Sequence, residues 1–196
     1  MIKEREFMRG YLIGIRYSDG CVYFENFAKR FIFELQAIDK EMVDYTSKCL
    51  NVLFGRKTTV RECSRLTVSD NSVWRVRTPV DKIKDHLDLD LLTTKNSKIG
   101  FVSAFYDAEG TLSNNSVSIS STDLVLLNFV NSILDEVSQG IIVGTIDKFR
   151  ENHPKWKDCY RMYLKKGRIK GNKRNRIFFD LFSPQIKRKI SKINNK

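Results

Sequence analysis

The sequence predicts an α+β fold of two tandem units, each running αββαββα, and three observations carry that reading. First, two runs share a ladder of small residues at every fourth position: Gly10, Gly14 and Ser18, then Gly100, Ala104 and Ala108. Second, the hydrophobic period after each ladder changes in the same order, from strand-like to helical and back. Third, landmarks recur at nearly constant offsets of 84, 85 and 86: Asp39 with Asp123, Gly55 with Gly140, and Trp74-Arg75-Val76 with Tyr160-Arg161-Met162. Each unit is expected to form a four-stranded antiparallel sheet covered by helices on one face. The units are expected at residues 1–90 and 98–196, joined by a linker at 91–97, the second unit carrying a basic C-terminal extension.

The first ladder predicts a helix over 6–18. Spacing by four puts its small residues in one line on one face, where two backbones can approach closely. Leu12, Ile13 and Ile15 between them are apolar, so the remaining faces are expected to be buried as well. Strands at 21–25 and 30–37 are joined by the short connection 26–29, a hairpin length; Ile32 and Phe33 blur the alternation of the second strand. Asp39 suits an N-cap. Met42, Val43, Tyr45, Cys49, Leu50 and Leu53 follow at helical spacing up to Gly55, a helix stop. A second hairpin is read at 57–68 and 72–78, turning at Ser69-Asp70-Asn71. Pro79 opens a predicted helix over 80–89.

The second unit repeats the order. The ladder helix is predicted over 98–108 and strands at 110–113 and 116–121, with a turn at Ser113-Asn114-Asn115. Thr122 or Asp123 caps a helix to about 137, carrying Leu124, Leu127, Val130, Ile133 and Leu134, and Gly140 ends it. Strands at 141–149 and 158–165 follow. Residues 168–176 read as a basic loop, 176–182 as either a short helix or a strand, and 184–192 as a final basic helix.

Composition narrows the function. The chain has 196 residues, 41% of them hydrophobic, enough for a core in one or two small domains. A net charge of +12 and a pI of about 9.6 point to a polyanionic partner, nucleic acid first and an anionic membrane second. No apolar run approaches the length needed to span a bilayer, and no basic amphipathic helix with aromatic anchors supports a membrane-surface role. The N-terminal run Met1–Phe7 holds two acids and resembles neither a secretory signal nor a transit peptide, so an intracellular place of work is expected, cytoplasmic or organellar. Cys21, Cys49, Cys63 and Cys159 show no paired spacing, and only His86 and His153 are present. Reduced, largely buried thiols are expected, not a zinc site, and no nucleophilic triad suggests itself.

Each ladder ends in an acid followed by glycine: Ser18-Asp19-Gly20 and Ala108-Glu109-Gly110. Either alone is an ordinary turn sequence. Repeated at the same place in both ladders, 90 residues apart, the acids acquire a chemical reading. A carboxylate at a helix C-terminus sits against the negative end of the macrodipole. If the two helices pack side by side, a cation nearby would offset both that cost and the mutual repulsion. Mg²⁺, a hard ion that takes oxygen ligands, fits such acids.

With these residues in view, the chain resembles the LAGLIDADG homing endonucleases, of the two-motif, monomeric and pseudo-symmetric type. The nine-residue signature falls on Leu12–Gly20 and on Val102–Gly110, and the resemblance extends over nearly the whole chain. In the first copy Arg16-Tyr17-Ser18 stands where the family has Ile-Asp-Ala; the last acid is present in both. The resemblance implies two units related by a pseudo-twofold axis through the ladder helices, their sheets forming a saddle over a long double-stranded DNA target. It implies a site-specific endonuclease, encoded within a mobile intron or intein, that hydrolyses both strands across the minor groove. Mg²⁺ or Mn²⁺ would serve it, two or more ions per active centre. Asp19 and Glu109 would each serve one strand, and the backbone carbonyls of Ser18 and Ala108 would add metal ligands. The auxiliary Gln or Lys expected after the second strand of each unit is replaced by Ala37 and Ser121. Auxiliary lysines would be Lys95 or Lys98 and, in the second unit, Lys187 or Arg188. One chain carries both acids, so no obligatory protein partner is expected. The alternative is a cleavage-deficient relative acting as an RNA maturase or a sequence-specific DNA-binding protein.

The polar residues of the hairpins are the candidate DNA contacts. In the first unit these are Tyr23, Glu25, Asn26, Lys29, Arg30, Glu34, Gln36, Lys57, Thr59, Arg61, Arg65, Asn71, Arg75 and Arg77. In the second they are Thr111, Asn114, Asn115, Ser116, Ser118, Ser120, Lys148, Arg150, Lys155, Lys157, Arg161, Tyr163 and Lys165. Arg and Lys match guanine edges, Asn and Gln adenine; others would contact phosphate and set register. The competing reading of each residue is a solvated polar face. The run 165–176 suits a phosphate clamp or arm.

Overall fold

A computed structural model describes residues 2–63, 72–113, 116–149, 157–164 and 171–186. Two compact units emerge, Met1–Ala108 and Glu109–Lys196. The first contains α1 (Ile2–Tyr17), β1 (Gly20–Glu25), β2 (Arg30–Ala37), α2 (Lys40–Phe54), β3 (Val60–Cys63) and β4 (Val73–Pro79). It also holds α3 (Lys95–Glu109) except for its last residue. The second contains β5 (Gly110–Ser113), β6 (Ser116–Ser121), α4 (Leu124–Ser138), β7 (Gly144–Phe149), β8 (Cys159–Leu164) and α5 (Gly171–Phe182). The α+β class and the two antiparallel four-stranded sheets hold, with strand orders β1-β2-β4-β3 and β5-β6-β8-β7. By contact, the second ladder helix therefore groups with the first unit.

The ladders pack as their spacing requires. Gly10 and Gly14 of α1 and Gly100 of α3 are fully enclosed. A Cβ on Gly10 would lie 1.8 Å from the Ser97 carbonyl oxygen, and one on Gly100 2.0 Å from that of Phe7. A shift of 90 positions maps Phe7 onto Ser97 and Gly10 onto Gly100, so these are one contact made twice. Gly14 meets Ala104, its own counterpart under the same shift: a Cβ there would come within 2.7 Å of the alanine methyl. The two helices thus run in the same direction about a local twofold. With both backbones in contact, Met8 to Ile15 (Arg9 excepted) and Gly100 to Asp107 are buried. Thr94 starts α3: its hydroxyl accepts from the Ser97 N–H (3.2 Å), while the Ser97 Oγ accepts from the Thr94 N–H (3.1 Å), a reciprocal cap.

In each unit helices cover one sheet face. In the first, α1 lies on β1 and α2 on β2, β3 and β4; in the second, α4 lies on β6, β7 and β8, and α5 on β6. Phe33, Leu35 and Val76 form the covered face of the first sheet, Ile119, Met162 and Leu164 that of the second. Asp39 precedes α2 in extended conformation without a side-chain cap bond, whereas the Asp123 carboxylate accepts from the Leu126 N–H at 2.9 Å. Gly55, at φ 63°, closes α2 by donating its N–H to the Asn51 carbonyl at 2.8 Å. α4 ends differently: Gln139 takes the left-handed position and Gly140 follows it.

Several elements depart from expectation. The helix read over 80–89 is instead a turn and two short 3₁₀ segments, Lys84–Leu87 and Leu89–Leu91. From Leu87 to Leu91 the sequence alternates Leu with Asp at a period of two, and Asp is a weak helix former. Val80, Ile83, Leu87 and Leu92 still bury, so the segment anchors without a helical repeat. α1 and α3 begin earlier than read, at Ile2 and Lys95. β3 starts at Val60, leaving Lys57 and Thr59 ahead of it. β7 starts at Gly144 because the Ser138 Oγ accepts from the Ile142 N–H (2.8 Å) and holds that residue in the turn. The basic loop read at 168–176 gives way to helix from Gly171, and 176–182 is helix, not strand; Phe178, Phe179 and Phe182 supply its buried side. The turn Ser69-Asp70-Asn71 and the helix read beyond residue 186 lie outside the described residues.

The enclosed glycines lead to a stability prediction. Gly100→Ala forces a methyl into backbone and should destabilise the chain by about 3 kcal/mol or more, at the upper end of overpacking costs. Gly55→Asn, in open space at a left-handed position, should cost well under 1 kcal/mol. Urea denaturation midpoints of the two variants check the contrast.

Candidate nucleic-acid interface

The period of two in the first sheet sets which side chains share its uncovered face. Register aligns Gln36 with Arg75 and Arg75 with Arg61; Glu34 aligns with Cys21 and Arg77, and Arg30 with Glu25. Tyr23, Glu25, Arg30, Glu34, Gln36, Arg61, Arg75 and Arg77 therefore lie on one face. Asn26 and Lys29 sit in the β1–β2 turn, with Lys29 at φ 47°. Arg30, Lys57, Thr59, Arg61, Arg75 and Arg77 line a groove of about 320 Å³ on this side.

Half of this face is braced. The Tyr23 hydroxyl donates to Glu34 Oε2 at 3.0 Å, and Arg77 Nε donates to the Tyr23 oxygen at 3.2 Å. Arg77 also pairs with Glu25 and, at 3.2 Å, with Glu34; Arg30 Nε pairs with Glu25 at 3.2 Å, and Gln36 Nε2 donates to Glu34 Oε1 at 2.6 Å. The Arg77 guanidinium, seconded by Arg30, holds the Glu25 carboxyl below the usual carboxylate range. The Tyr23 hydroxyl and Glu25 in turn raise Arg77 further above its ordinary value. The other half, Lys57, Arg61 and Arg75, has no carboxylate partner among the described residues.

The second sheet presents different chemistry. Ser118 aligns with Thr111 and Tyr163, Tyr163 with Thr145, and Arg161 with Ser120 and Asp147. Its uncovered face is mostly hydroxylic, with one arginine opposite one aspartate. Arg161 Nε donates to Ser120 Oγ at 3.0 Å, and its guanidinium lies 4.4 Å from the centre of the Phe149 ring. Ser116 shares this face. Lys148 does not: it aligns with Tyr160 on the opposite face and pairs with Asp158. Lys148 reads as basic in sequence, but the strand parity turns it away. Lys157 precedes β8 and is exposed. Thr145, Asp147 and Phe149 also belong to this face, which the sequence reading does not include because their parity is set by pairing with β8. Arg65, Asn71, Asn114, Asn115, Arg150, Lys155, Lys165 and Lys187 lie outside the described residues.

The two acids occupy matching corners. Asp19 is exposed in the turn between α1 and β1; Glu109 is the half-buried last residue of α3. Each is followed by the glycine that begins a strand. A Cβ on Gly20 would come within 2.8 Å of the Ile15 carbonyl oxygen, so the direct passage from helix to strand needs glycine there. The Ser18 hydroxyl donates to the Gly14 carbonyl at 2.8 Å, a bond that Ala108 cannot make. Arg16, in the divergent part of the first motif, pairs with Asp88 and so ties the 3₁₀ segment to α1. Lys95 and Lys98 are at the other end of α3: Lys98 is 11 residues, roughly 16 Å of helix, before Glu109, beyond the reach of a lysine side chain. Neither can assist that acid directly.

A buried polar pair joins α1 to α3. The Tyr11 hydroxyl donates to Asp107 Oδ2 at 2.9 Å, and both side chains are enclosed. The 90-residue shift turns this pair into Phe101 and Tyr17, so the bond occurs once. Burial, and next the Asp107 charge, push the Tyr11 hydroxyl well above its ordinary value. Burial likewise raises Tyr45, Tyr106 and the Cys49 thiol. Among the described residues no three His, Cys, Asp or Glu side chains cluster, and no helix is long and apolar enough to cross a membrane.

Comparison with known proteins agrees with this architecture. Residues 96–177 match the LAGLIDADG-like domain family. An uncharacterised protein of Methanocaldococcus jannaschii is 24% identical over 131 residues, 65% of this chain and 47% of its own length; the chain thus spans about half of that relative. Mesophilic variants of the homing endonuclease I-DmoI superpose with a TM-score of 0.66 at 16% identity, covering 93% of this chain and 98% of theirs. I-DmoI in complex with DNA and Mn gives 0.64 at 17% identity, covering 91% and 98%. The N-terminal LAGLIDADG domain of DUF199/WhiA gives 0.65 at 12% identity, covering 96% and 87%. The chain has the two-motif LAGLIDADG fold.

The buried tyrosines and thiol fix the sign of an alkaline effect. Their raised values mean that the folded chain holds these protons more tightly than the unfolded one. Stability is then full below about pH 9 and is lost as pH rises through and beyond 10, the ordinary values for Cys (9.0) and Tyr (10.0). Tyr11→Phe should lower stability at pH 7 by about 1–3 kcal/mol, since Asp107 loses a donor. It should also flatten the alkaline fall by up to about 1.4 kcal/mol per pH unit, one proton's worth. Urea titrations between pH 7 and 11 measure both effects.

Proposed function

We propose that this two-motif LAGLIDADG-like chain is a site-specific, double-strand DNA endonuclease, acting as a monomer and originating in a mobile intron or intein. The observation that carries the reading is the twofold repeat of one corner, ladder helix, acid, glycine and strand, at Asp19 and at Glu109. Supporting it are an uncovered sheet face rich in arginine and the likeness to a homing endonuclease that has been crystallised with its target DNA. Each acid serves one strand. The hairpin side chains of the two sheets hold the duplex, so that register on the DNA selects which phosphodiesters meet the acids.

The donors at the corners are oxygens: the Asp19 and Glu109 carboxylates, with the backbone carbonyls of Ser18 and Ala108. That set fits a hard divalent ion such as Mg²⁺ or Mn²⁺ and would suit zinc or copper poorly. When bound, such ions activate a water and stabilise the leaving oxygen. The chain's own part is to place both carboxylates at the ends of helices whose middles are enclosed, Asp19 in the turn after α1 and Glu109 as the last residue of α3. Neither Ala37 nor Ser121 supplies a long polar side chain at the end of the second strand, so water must be oriented by other groups.

A second reading has a specific observation behind it. Arg16 is engaged by Asp88 and the Ser18 hydroxyl by α1 itself, so the divergent residues of the first motif are tied into structure in ways that Tyr106 and Ala108 of the second do not repeat. A relative that binds DNA or intron RNA without cutting fits that asymmetry.

A cleavage selection separates the two. A large randomised duplex library is incubated with the protein and Mg²⁺, and new ends are sequenced. The endonuclease reading expects one long motif cut on both strands and no cutting with EDTA. Asp19→Asn or Glu109→Gln should lower double-strand cutting by about 10³-fold while leaving motif retention in pull-down intact. Motif enrichment without any cleavage by the unmodified protein would leave a sequence-specific binder.

A further inference from the structure

The first sheet's uncovered face is divided, and the division has a use. On β1 and β2, Glu25 and Glu34 neutralise Arg30 and Arg77 and lock them in a hydrogen-bonded chain. On the β3–β4 side the register sets Arg61 directly opposite Arg75, with exposed Lys57 on the same groove. Glu62, the nearest acid in sequence, aligns with Trp74 on the other face and takes the Ser72 hydroxyl. Like charges directly opposite on paired strands repel. Arg75 is also half-buried, which adds a desolvation cost with no counter-charge among the described residues. Folding gains nothing from this pair, whereas a ligand with two closely spaced anionic or acceptor atoms turns the repulsion into attraction. The groove's volume of about 320 Å³ admits a phosphodiester or a base edge.

We infer that Arg61, Arg75 and Lys57 form an uncompensated cation cluster that is the main anchor of the first sheet on duplex DNA, binding paired acceptor atoms, while Arg30 and Arg77 brace the face. This rests on the reading that the chain binds duplex DNA. It deepens that reading by assigning different work to arginines that the sequence presents as equivalent. The acceptors are either neighbouring phosphates or the O6 and N7 of guanine, and these differ in what their loss does. Loss of a phosphate contact weakens all sequences alike and reduces the salt slope, whereas loss of a guanine contact relaxes preference at one position.

The test uses the full chain, a pool of random 40-base-pair duplexes at graded NaCl, and sequencing of the retained fraction. Arg61→Gln, Arg75→Gln and Arg77→Gln are compared with the unmodified protein, and free-state stability is read by urea denaturation. Arg61→Gln and Arg75→Gln should each weaken binding about tenfold, with free-state midpoints unchanged or raised. Arg77→Gln should lower the midpoint, because Glu25 and Glu34 lose their partner. A fall of about 0.9 in the log–log salt slope per arginine assigns phosphates; an unchanged slope with guanine preference lost at one or two positions assigns base edges. Binding, slope and preference all unaltered in Arg61→Gln and Arg75→Gln would overturn the inference, as would a binding loss matched by a fall in midpoint. If the unmodified protein retains no duplex, the DNA reading fails as a whole, which is a separate result.

Discussion

The contact between the α1 and α3 backbones is the constraint on which the rest depends. Where Gly10 meets the Ser97 carbonyl and Gly100 that of Phe7, not even a methyl group fits. Approach that close fixes the separation, direction and relative rotation of the helices at once, because any slip places a side chain in the gap. It also explains why residues 10–15 of α1 and 100–107 of α3 are buried on every face: with one face against another backbone, the others fall inside the unit.

A second constraint acts within each sheet. Strand parity decides which of two adjacent residues faces the helices and which faces outward, and a shift of one residue would exchange them all. The result is two faces of different character from one strand order. The first concentrates arginines, part braced by carboxylates and part not; the second is largely hydroxylic, with Arg161 opposite Asp147. Counts of basic residues along the chain blur this difference, since Lys148 counts as a cation yet lies on the covered side's parity.

The two copies have diverged most where the ladders meet other structure. Tyr11 bonds Asp107 across the helix pair, but the positions related by the 90-residue shift are Phe101 and Tyr17. Arg16 reaches Asp88 in a 3₁₀ segment, where the second copy has Tyr106 and, after β8, the helix α5. A buried polar bond made once in a symmetric contact distinguishes the helices from each other without disturbing the glycine contacts that define the pair.

Much of this was legible in the sequence because it depends on local periodicity and on residue types with narrow uses. Small residues at every fourth place, acid-glycine endings, Asp caps and Gly55 at a helix stop specify α1 to α4 and the hairpins nearly as observed. The placing of Asp19 and Glu109 at the ends of the two ladders was legible for the same reason, as was the fold class. The ends of elements that depend on side chains far along the chain were not. Residues 80–89 after Pro79 read as a helix, yet the core accepts Leu87 and Leu92 from two 3₁₀ turns and their end. α5 is helical because Phe178 and Phe182 find a buried surface on β6. Nor could the charge state of the sheet face be read in advance. That Glu25 and Glu34 compensate Arg30 and Arg77 but leave Arg61 and Arg75 facing each other follows from cross-strand register. Register joins residues as far apart as Glu25 and Arg77, a distance over which sequence pattern carries no geometry and only the folded sheet does.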